Sequence, residues 1–409
     1  MMAVSTIPRM VCRWCKLSVI GGIIIYVLLL LRLQFEIAPP PAINYDHVIV
    51  AGFRQDHVTG PLGRQHYMKA SRALQELYVT PTQKRHQHVP LTSVRQLIIL
   101  SHPRSGSSLT GDIMQHADQS FYVFEPLHAL EYMLANKIPS MRLLKGDKVM
   151  INHANFISRS LAIIEAYMTC DFQSLDHRML IDGMHLMSHK YVPFLSCVDR
   201  QSNSSGDTEQ SLTRCLPLLE KACRSSGFIV IKTVRLSMAH LESLMVKYPN
   251  LHILHLMRDP RAVLFSKSKF GINITMNSQK KARLECRSMI HNINTTWRYS
   301  WKFPNRVDTL YYENLALRPL ETSETLYRHH DLTFTESIRY HIYTLTSAGH
   351  EPKCSPYTGL CLESSNSSKN ANLWKTQLTG NIISIIDKSC STLYKITNYF
   401  YRPMMMEYN

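Results

Sequence analysis

Two short segments hold residue types whose chemistry can be stated before any fold is known. The first is Pro103-Arg104-Ser105-Gly106-Ser107-Ser108, continued by Leu109 and Thr110. A glycine lets backbone close on an anion, and the Ser107 and Ser108 hydroxyls can donate to it or cap a helix. Arg104 adds a positive charge. With a strand before it and a helix after it, such a turn points backbone N–H groups and the positive helix end at one spot. That is a phosphate cradle, although an ordinary capped strand–helix turn uses the same residues. It lacks the G-x-x-x-x-G-K-[ST] spacing of nucleoside triphosphatases. The second segment is Arg258-Asp259-Pro260-Arg261-Ala262-Val263-Leu264-Phe265-Ser266. Arg258 at a strand end and Ser266 about two turns into a helix begun by Pro260 can hold a second phosphate. Asp259 and Arg261 read as a surface ion pair.

A carboxylate suited to general-base work is Glu125, in Phe124-Glu125-Pro126. A helix cap or an ion pair is its plainer reading. Lys232 and Arg235 follow a third strand and either contact an anionic ligand or form salt bridges. His185 and His189 have helix-face spacing but no third ligand in view, so they read as packed or solvated and no metal is expected. Trp297, Tyr299 and Trp301 could stack on sugar rings, but core packing is commoner.

The elements that must position these groups are legible as alternating apolar runs and helical stretches. Residues 94–100, 121–124, 228–231, 251–256 and 305–312 read as strands. Residues 107–117, 238–247, 280–301 and 319–330 read as helices, as does the stretch after Pro260. Alternation of this kind implies an α/β fold, a parallel sheet flanked by helices. A long mixed insertion separates Pro126 from about Gly227.

The 409 residues, 45% hydrophobic and 19% charged, are enough for a sizeable core and exclude wholesale disorder. The net charge of +16 asks for an anionic partner. Its spread along the chain, without a Lys/Arg tract, argues against nucleic acid. Residues 17–31 are uncharged and apolar, and Leu33 and Phe35 extend them. Arg9, Arg13 and Lys16 precede them, the pattern of a signal-anchor that leaves the body lumenal. A cleaved signal peptide is the rival, but no A-x-A site follows. The chain thus divides into a cytoplasmic tail (1–16), a transmembrane anchor (17–35), a polar stem (36–93) and a lumenal catalytic domain (94–409). Eight of ten cysteines fall beyond the anchor, where disulfides form. Cys354 and Cys361 could bridge locally, and so could Cys215 and Cys223, unless a helix between the latter two points them apart. Sequons stand at Asn203, Asn273, Asn294 and Asn366.

Taken together, the RSGSS run, Phe124-Glu125-Pro126 and RDPRAVLFS resemble the Golgi carbohydrate sulfotransferases, in the branch acting at the 6-hydroxyl of galactose, N-acetylgalactosamine or N-acetylglucosamine. The resemblance extends through Lys232-Thr233-Val234-Arg235-Leu236 and Tyr312-Glu313-Asn314-Leu315-Ala316 to the region of Trp374 and Cys390. It implies a P-loop-like α/β fold and 3′-phosphoadenosine 5′-phosphosulfate (PAPS) as donor, with no metal. It places the 5′-phosphosulfate on residues 104–110 and the 3′-phosphate on residues 258–266. Arg104 and Glu125 would be catalytic, and Lys232 and Arg235 would face the sulfonate or the acceptor. The implied partners are a chondroitin, keratan or N-acetylglucosamine-bearing glycan and the Golgi membrane, and a homodimer is left open. Leu109 replaces the usual aromatic, His102-Pro103 precedes the loop, and Trp374-Lys375 replaces Trp-Arg. These departures bear on acceptor choice more than on the donor. The alternative is a non-catalytic lumenal glycan-binding protein on the same fold.

Overall fold

The computed structural model describes residues 94–271, 273–347, 349, 366–397 and 399. The expected tail, anchor and stem, and Cys354 with Cys361, lie outside the described residues. Among the described residues no helix is long and apolar enough to cross a membrane.

The chain opens with β1 (Arg95–Ser101), α1 (Ser107–Gln115), β2 (Ser120–Phe124) and α2 (His128–Ala135). The insertion comes next: a hairpin of β3 (Ser140–Arg142) and β4 (Lys148–Met150), then α3 (Phe156–Met168), α4 (His177–Leu180), α5 (Val192–Ser205) and α6 (Thr208–Arg224). The chain returns through β5 (Phe228–Thr233), α7 (Glu242–Lys247), β6 (Leu251–Met257), α8 (Pro260–Ser268) and the long α9 (Ser278–Lys302). β7 (Val307–Tyr311) leads into α10 (Tyr312–Leu317), α11 (Pro319–His329) and α12 (Glu336–Thr346). The described chain ends with α13 (Ser367–Asn372), α14 (Trp374–Gln377), α15 (Gly380–Ser389) and α16 (Ser391–Thr397).

Five strands form one sheet in the order β2-β5-β1-β6-β7, every pairing parallel. Strands buried on both faces read as continuous apolar runs, which is how IIL of β1 and FIVI of β5 look in sequence. Ile98 and Leu100 pack with the insertion on one face, and Leu97 and Ile99 pack with Ile113, Tyr327 and Ile342 on the other. The register sets Phe124 beside Lys232, Leu100 beside Thr233, Ser101 beside Leu256 and Met257 beside Tyr311. All the strands therefore deliver their next residues to the same edge. Those residues are Glu125, the 102–106 loop, the 234–236 turn, Arg258 and Tyr312.

One expected helix splits: Met238–Leu241 is a 3₁₀ turn begun by a Ser237/His240 capping box, and α7 comes after it. Three disulfides join Cys170 to Cys223, Cys197 to Cys215, and Cys286 to Cys390. The Cys215–Cys223 pairing is thus corrected. Both residues are buried on α6, where eight residues rise about 12 Å, well beyond disulfide reach. Axial distance, rather than direction, forbids the pair. The Cys286–Cys390 bridge ties α9, through its Ala282-Cys286-Met289-Ile293 stripe, to the end of α15.

Candidate functional site

The loop between β1 and α1 is built around two left-handed residues, Arg104 (φ 73°) and Gly106 (φ 92°). Gly106 is the N-cap of α1, and no side chain caps that helix. Its first-turn N–H groups are therefore open to an anion. Tyr312 closes on Gly106 so tightly that an added Cβ would fall within its ring. Ser105 is buried, and its hydroxyl has no hydrogen-bond partner. Leu109 and Thr110 serve the fold: Leu109 joins the core, and Thr110 Oγ1 donates back to the Gly106 carbonyl at 3.3 Å.

The second segment reaches this loop directly. Arg104 Nε donates to Ser266 Oγ at 3.1 Å, and Arg258 Nη1 donates to the Arg104 carbonyl at 2.9 Å. The Arg104 guanidinium lies 3.8 Å over the Phe270 ring and that of Arg258 lies 4.4 Å over Tyr312. Among the described residues neither arginine makes an ion pair with a carboxylate, and Arg258 Nε has no partner. Burial, then the adjacent Arg258, lower the Arg104 pKa to about 10. Two neighbouring, half-buried guanidiniums with no carboxylate in ion-pair contact call for an anion.

Other members of that segment hold the fold. Asp259 and Arg261 are not a surface pair: both are buried, with Arg261 Nη2 donating to Asp259 Oδ2 at 2.7 Å. Asp259 also caps α8 by accepting from the Arg261 N–H, and the Arg261 guanidinium stacks 4.3 Å over Trp374. This correction follows from the C-terminal helices, which cover α8 and exclude water from the pair. Pro260 opens α8, Ala262, Val263 and Leu264 face the core, and Phe265 is half-buried.

Glu125 ends β2 with φ 52°, a third left-handed residue on the same edge. Its buried carboxylate accepts from both Lys232 Nζ and Arg235 Nη1, while Arg235 Nε donates to Glu131 at 2.7 Å. Burial pushes the Glu125 pKa up, but Lys232 and Arg235 outweigh it and hold the group below the usual carboxylate value. Lys232 is lowered, first by burial, and Arg104 is among the charges acting on it. The salt-bridged reading of Lys232 and Arg235 is therefore the one seen in the structure.

Three neighbours escaped sequence reasoning. Tyr312 floors the cradle, and Phe270 lies under Arg104. Glu313 Oε1 accepts from the Asp259 N–H at 2.9 Å while its Oε2 has no partner. The available signal was position, since Tyr312 and Glu313 come directly after an edge-directed strand. His185 is packed, stacking on Tyr191 and meeting Tyr167 Oη at 3.1 Å. Tyr299 is buried but Trp297 and Trp301 are exposed. They lie near the end of α9 that feeds β7, across the sheet from the site. Asn203, Asn273, Asn294 and Asn366 are all exposed.

Comparison with known proteins points to one family. Residues 96–336, more than half the chain, match the family described as "Sulfotransferase family". Carbohydrate sulfotransferase 1 of Danio rerio is 23% identical over 331 residues, covering 74% of this chain and 77% of its own. Carbohydrate sulfotransferase 5 of Homo sapiens is 25% identical over 335 residues, covering 75% and 78%. Among solved structures, the sulfotransferase domain from the Synechococcus PCC 7002 olefin synthase is 14% identical, with a TM-score of 0.42, covering 75% of this chain and 98% of that one.

Proposed function

The chain belongs to the sulfotransferase family, and on that premise we propose that it transfers a sulfuryl group from PAPS to the 6-hydroxyl of galactose, N-acetylgalactosamine or N-acetylglucosamine in a glycan. The observation that carries the donor is the facing pair Arg104 and Arg258, two cations without a carboxylate beside an uncapped helix N-terminus. Donor sites for a ligand with phosphate at both ends need such a pair. The unpartnered Ser105 hydroxyl and Arg258 Nε are further features that fit a polyanion. The glycan acceptor is supported by the named relatives and by the sequence resemblance.

PAPS, when bound, supplies the sulfuryl group and a phosphate leaving group. The protein's part is positioning and charge stabilisation, as in phosphoryl transfer. Arg104 and the N–H groups of residues 106–108 would neutralise the 5′-phosphate, and Arg258 with Ser266 would hold the 3′-phosphate. Glu125 would take the proton of the attacking hydroxyl. Its ionised form is the one a base requires, yet its depressed pKa makes it weak while Lys232 and Arg235 hold it. Base strength would rise if Lys232 turned toward the transferring sulfonate. The same reading places residues 17–35 as a Golgi signal-anchor and residues 36–93 as the stem, with the catalytic domain lumenal.

The test is a transfer assay on the full chain with labelled PAPS and desulfated chondroitin, keratan and N-acetylglucosamine-terminated acceptors, beside Arg258→Ala. Label at a 6-hydroxyl that Arg258→Ala abolishes is the expected result. A folded chain that binds no PAPS refutes the reading.

A further inference from the structure

Arg104 stands at φ 73°, a left-handed conformation that strains a residue with a side chain and persists only where its surroundings hold it. It is the third residue of a tight turn, closed by the Ser105 N–H donating to the His102 carbonyl at 3.2 Å. Pro103 at the second position and a positive φ at the third are the pattern of a type II turn, which ordinarily has glycine or asparagine where Arg104 stands. Whatever fixes His102 therefore bears directly on where Arg104 points.

The His102 ring is buried between two residues of α9, and their hydrogen bonds settle where its proton sits. Asn292 Oδ1 accepts from the Met238 N–H at 3.0 Å. A backbone N–H can only donate, so that end of the amide is oxygen, and the NH₂ end is the one 3.1 Å from His102 Nε2. Nε2 must therefore accept, and the proton of the neutral ring sits on Nδ1. A charged imidazolium would set two donors against each other at Asn292. Burial also lowers the His102 pKa, with Glu285 opposing and Lys267 adding to the effect. On its other side Nδ1 faces Glu285 Oε1 at 3.5 Å. That distance is long for a hydrogen bond, but Oε1 has no other partner, so a buried carboxylate draws the N–H without competition. Glu285 Oε2 accepts from the buried Lys267 Nζ at 2.5 Å. Lys267 directly follows Ser266, the residue that Arg104 Nε reaches.

We propose that His102, held as the neutral Nδ1–H tautomer between Asn292 and Glu285, is a positioning residue that keeps the strained turn in shape and presents Arg104 to the donor. The proposal rests on the donor reading given above. The chain Asn292, His102, Glu285, Lys267 enters the site from both ends, through the residue that opens the Arg104 turn and through the neighbour of Ser266. It thereby sets one anion-binding segment against the other from beneath. A buried carboxylate–lysine pair stabilises a fold little more than apolar residues of the same volume would. What an apolar core cannot supply is direction: a ring held at both nitrogens has one orientation, and Pro103, with its fixed φ, carries that orientation to Arg104.

The experiment titrates the full chain with 3′-phosphoadenosine 5′-phosphate by calorimetry and measures KM for PAPS, kcat and thermal unfolding beside it. Asparagine can place an N–H₂ near the position of Nδ1, whereas glutamine reaches the position of Nε2 and leaves Glu285 without a donor. His102→Gln should weaken bisphosphate binding about tenfold and raise KM in parallel, with kcat within about threefold of wild type. His102→Asn should recover most of that affinity. Histidine nitrogen shifts of the wild type at neutral pH should place the His102 proton on Nδ1, a reading that needs no variant to fold. A His102→Gln chain that melts earlier but binds the bisphosphate as wild type does would show a residue that only fills the core, and would overturn the proposal. So would a His102→Asn chain that loses as much as His102→Gln, or a wild-type His102 protonated on Nε2. A folded wild type that binds no bisphosphate would remove the donor reading and this proposal with it, whereas the other failures leave that reading intact.

Discussion

Arg104 Nε donates to Ser266 Oγ at 3.1 Å, across 162 residues of sequence. This bond joins the loop after β1 to the second turn of α8, so the two anion-binding segments form one continuous site. Burial and then Arg258 lower the Arg104 pKa to about 10, and the guanidinium has no carboxylate ion pair among the described residues. Ser266→Ala should free the Arg104 fork and remove a hydroxyl donor to the 3′-phosphate. A hydrogen bond involving a charged group contributes about 1.5–3 kcal/mol, so affinity for 3′-phosphoadenosine 5′-phosphate should fall about ten- to a hundredfold. Arg258→Ala should cost at least as much, with only a modest loss of melting temperature, because Arg258 makes no ion-pair contact among the described residues and acts on buried Glu313 only through its field. Calorimetric titration with the bisphosphate beside thermal unfolding checks both parts.

Gly106 tests the cradle's backbone. At φ 92° any side chain is strained, by about 1–2 kcal/mol, and here a Cβ also meets the Tyr312 ring. The Arg258 guanidinium lies 4.4 Å from the centroid of that same ring. Gly106→Ala should therefore lower both the melting temperature and bisphosphate affinity. In the double variant Gly106→Ala/Tyr312→Ala, stability should recover only in part, since the steric contact is relieved and the backbone strain is not. Full recovery would show that the φ angle carries no cost.

Much of this arrangement was legible in sequence because it is local. The strand runs, the turn chemistry of residues 103–108 and the Pro260 helix start are encoded within a few residues of each other, and a parallel sheet gathers the residues after each strand at one edge. The features that were not legible depend on distant packing. Arg261 looked like a surface residue until Trp374 and the C-terminal helices covered it. Phe270 and Tyr312 entered the site only because α8 and β7 fold back onto the β1 loop. Asp112 and His341, hydrogen-bonded at 2.7 Å, are separated by 229 residues, and no spacing rule connects them. The helices α12 and α15 do carry apolar residues at helical spacing, Ile338-Ile342-Leu345 and Ile382-Ile386, a signal that was present but left unread.

Glu125 poses a problem of design for mutagenesis. Deleting its carboxylate leaves Lys232 buried without its counter-charge and Arg235 with Glu131 alone, a change that costs about 3–5 kcal/mol. Glu125→Ala should therefore lose activity partly through unfolding. Glu125→Gln retains the shape and one acceptor, and with Lys232→Met beside it removes one charge of each sign. If Glu125 is the base, Glu125→Gln/Lys232→Met should bind the bisphosphate and remain folded, yet lose at least about a hundredfold in kcat. Retention of kcat would remove the base assignment while leaving the donor site intact. The sign of the acid response is also fixed. The folded pKa is depressed, so this carboxylate stabilises the fold above its ordinary 4.5 and loses that contribution as pH falls through the folded value.

Glu313 should respond to pH in the opposite sense. Burial, and then the neighbouring Asp259, raise its pKa from 4.5 to about 7, and one oxygen has no hydrogen-bond partner. Below 4.5 the group is neutral in both folded and unfolded chains and is indifferent to pH. Between 4.5 and about 7 the unfolded chain has released the proton that the folded chain retains, so stability falls as pH rises. Above about 7 the folded group ionises as well and the loss levels off. Glu313→Gln keeps the acceptor for the Asp259 N–H and has no charge to bury. Its melting temperature should match the wild type near pH 4.5 and exceed it at pH 8, with the gap opening across that window. The comparison must be made without donor, whose phosphates would add their own charge beside Arg258. A constant gap at all pH values would mean that Glu313 is ionised throughout, with its free oxygen turned to solvent.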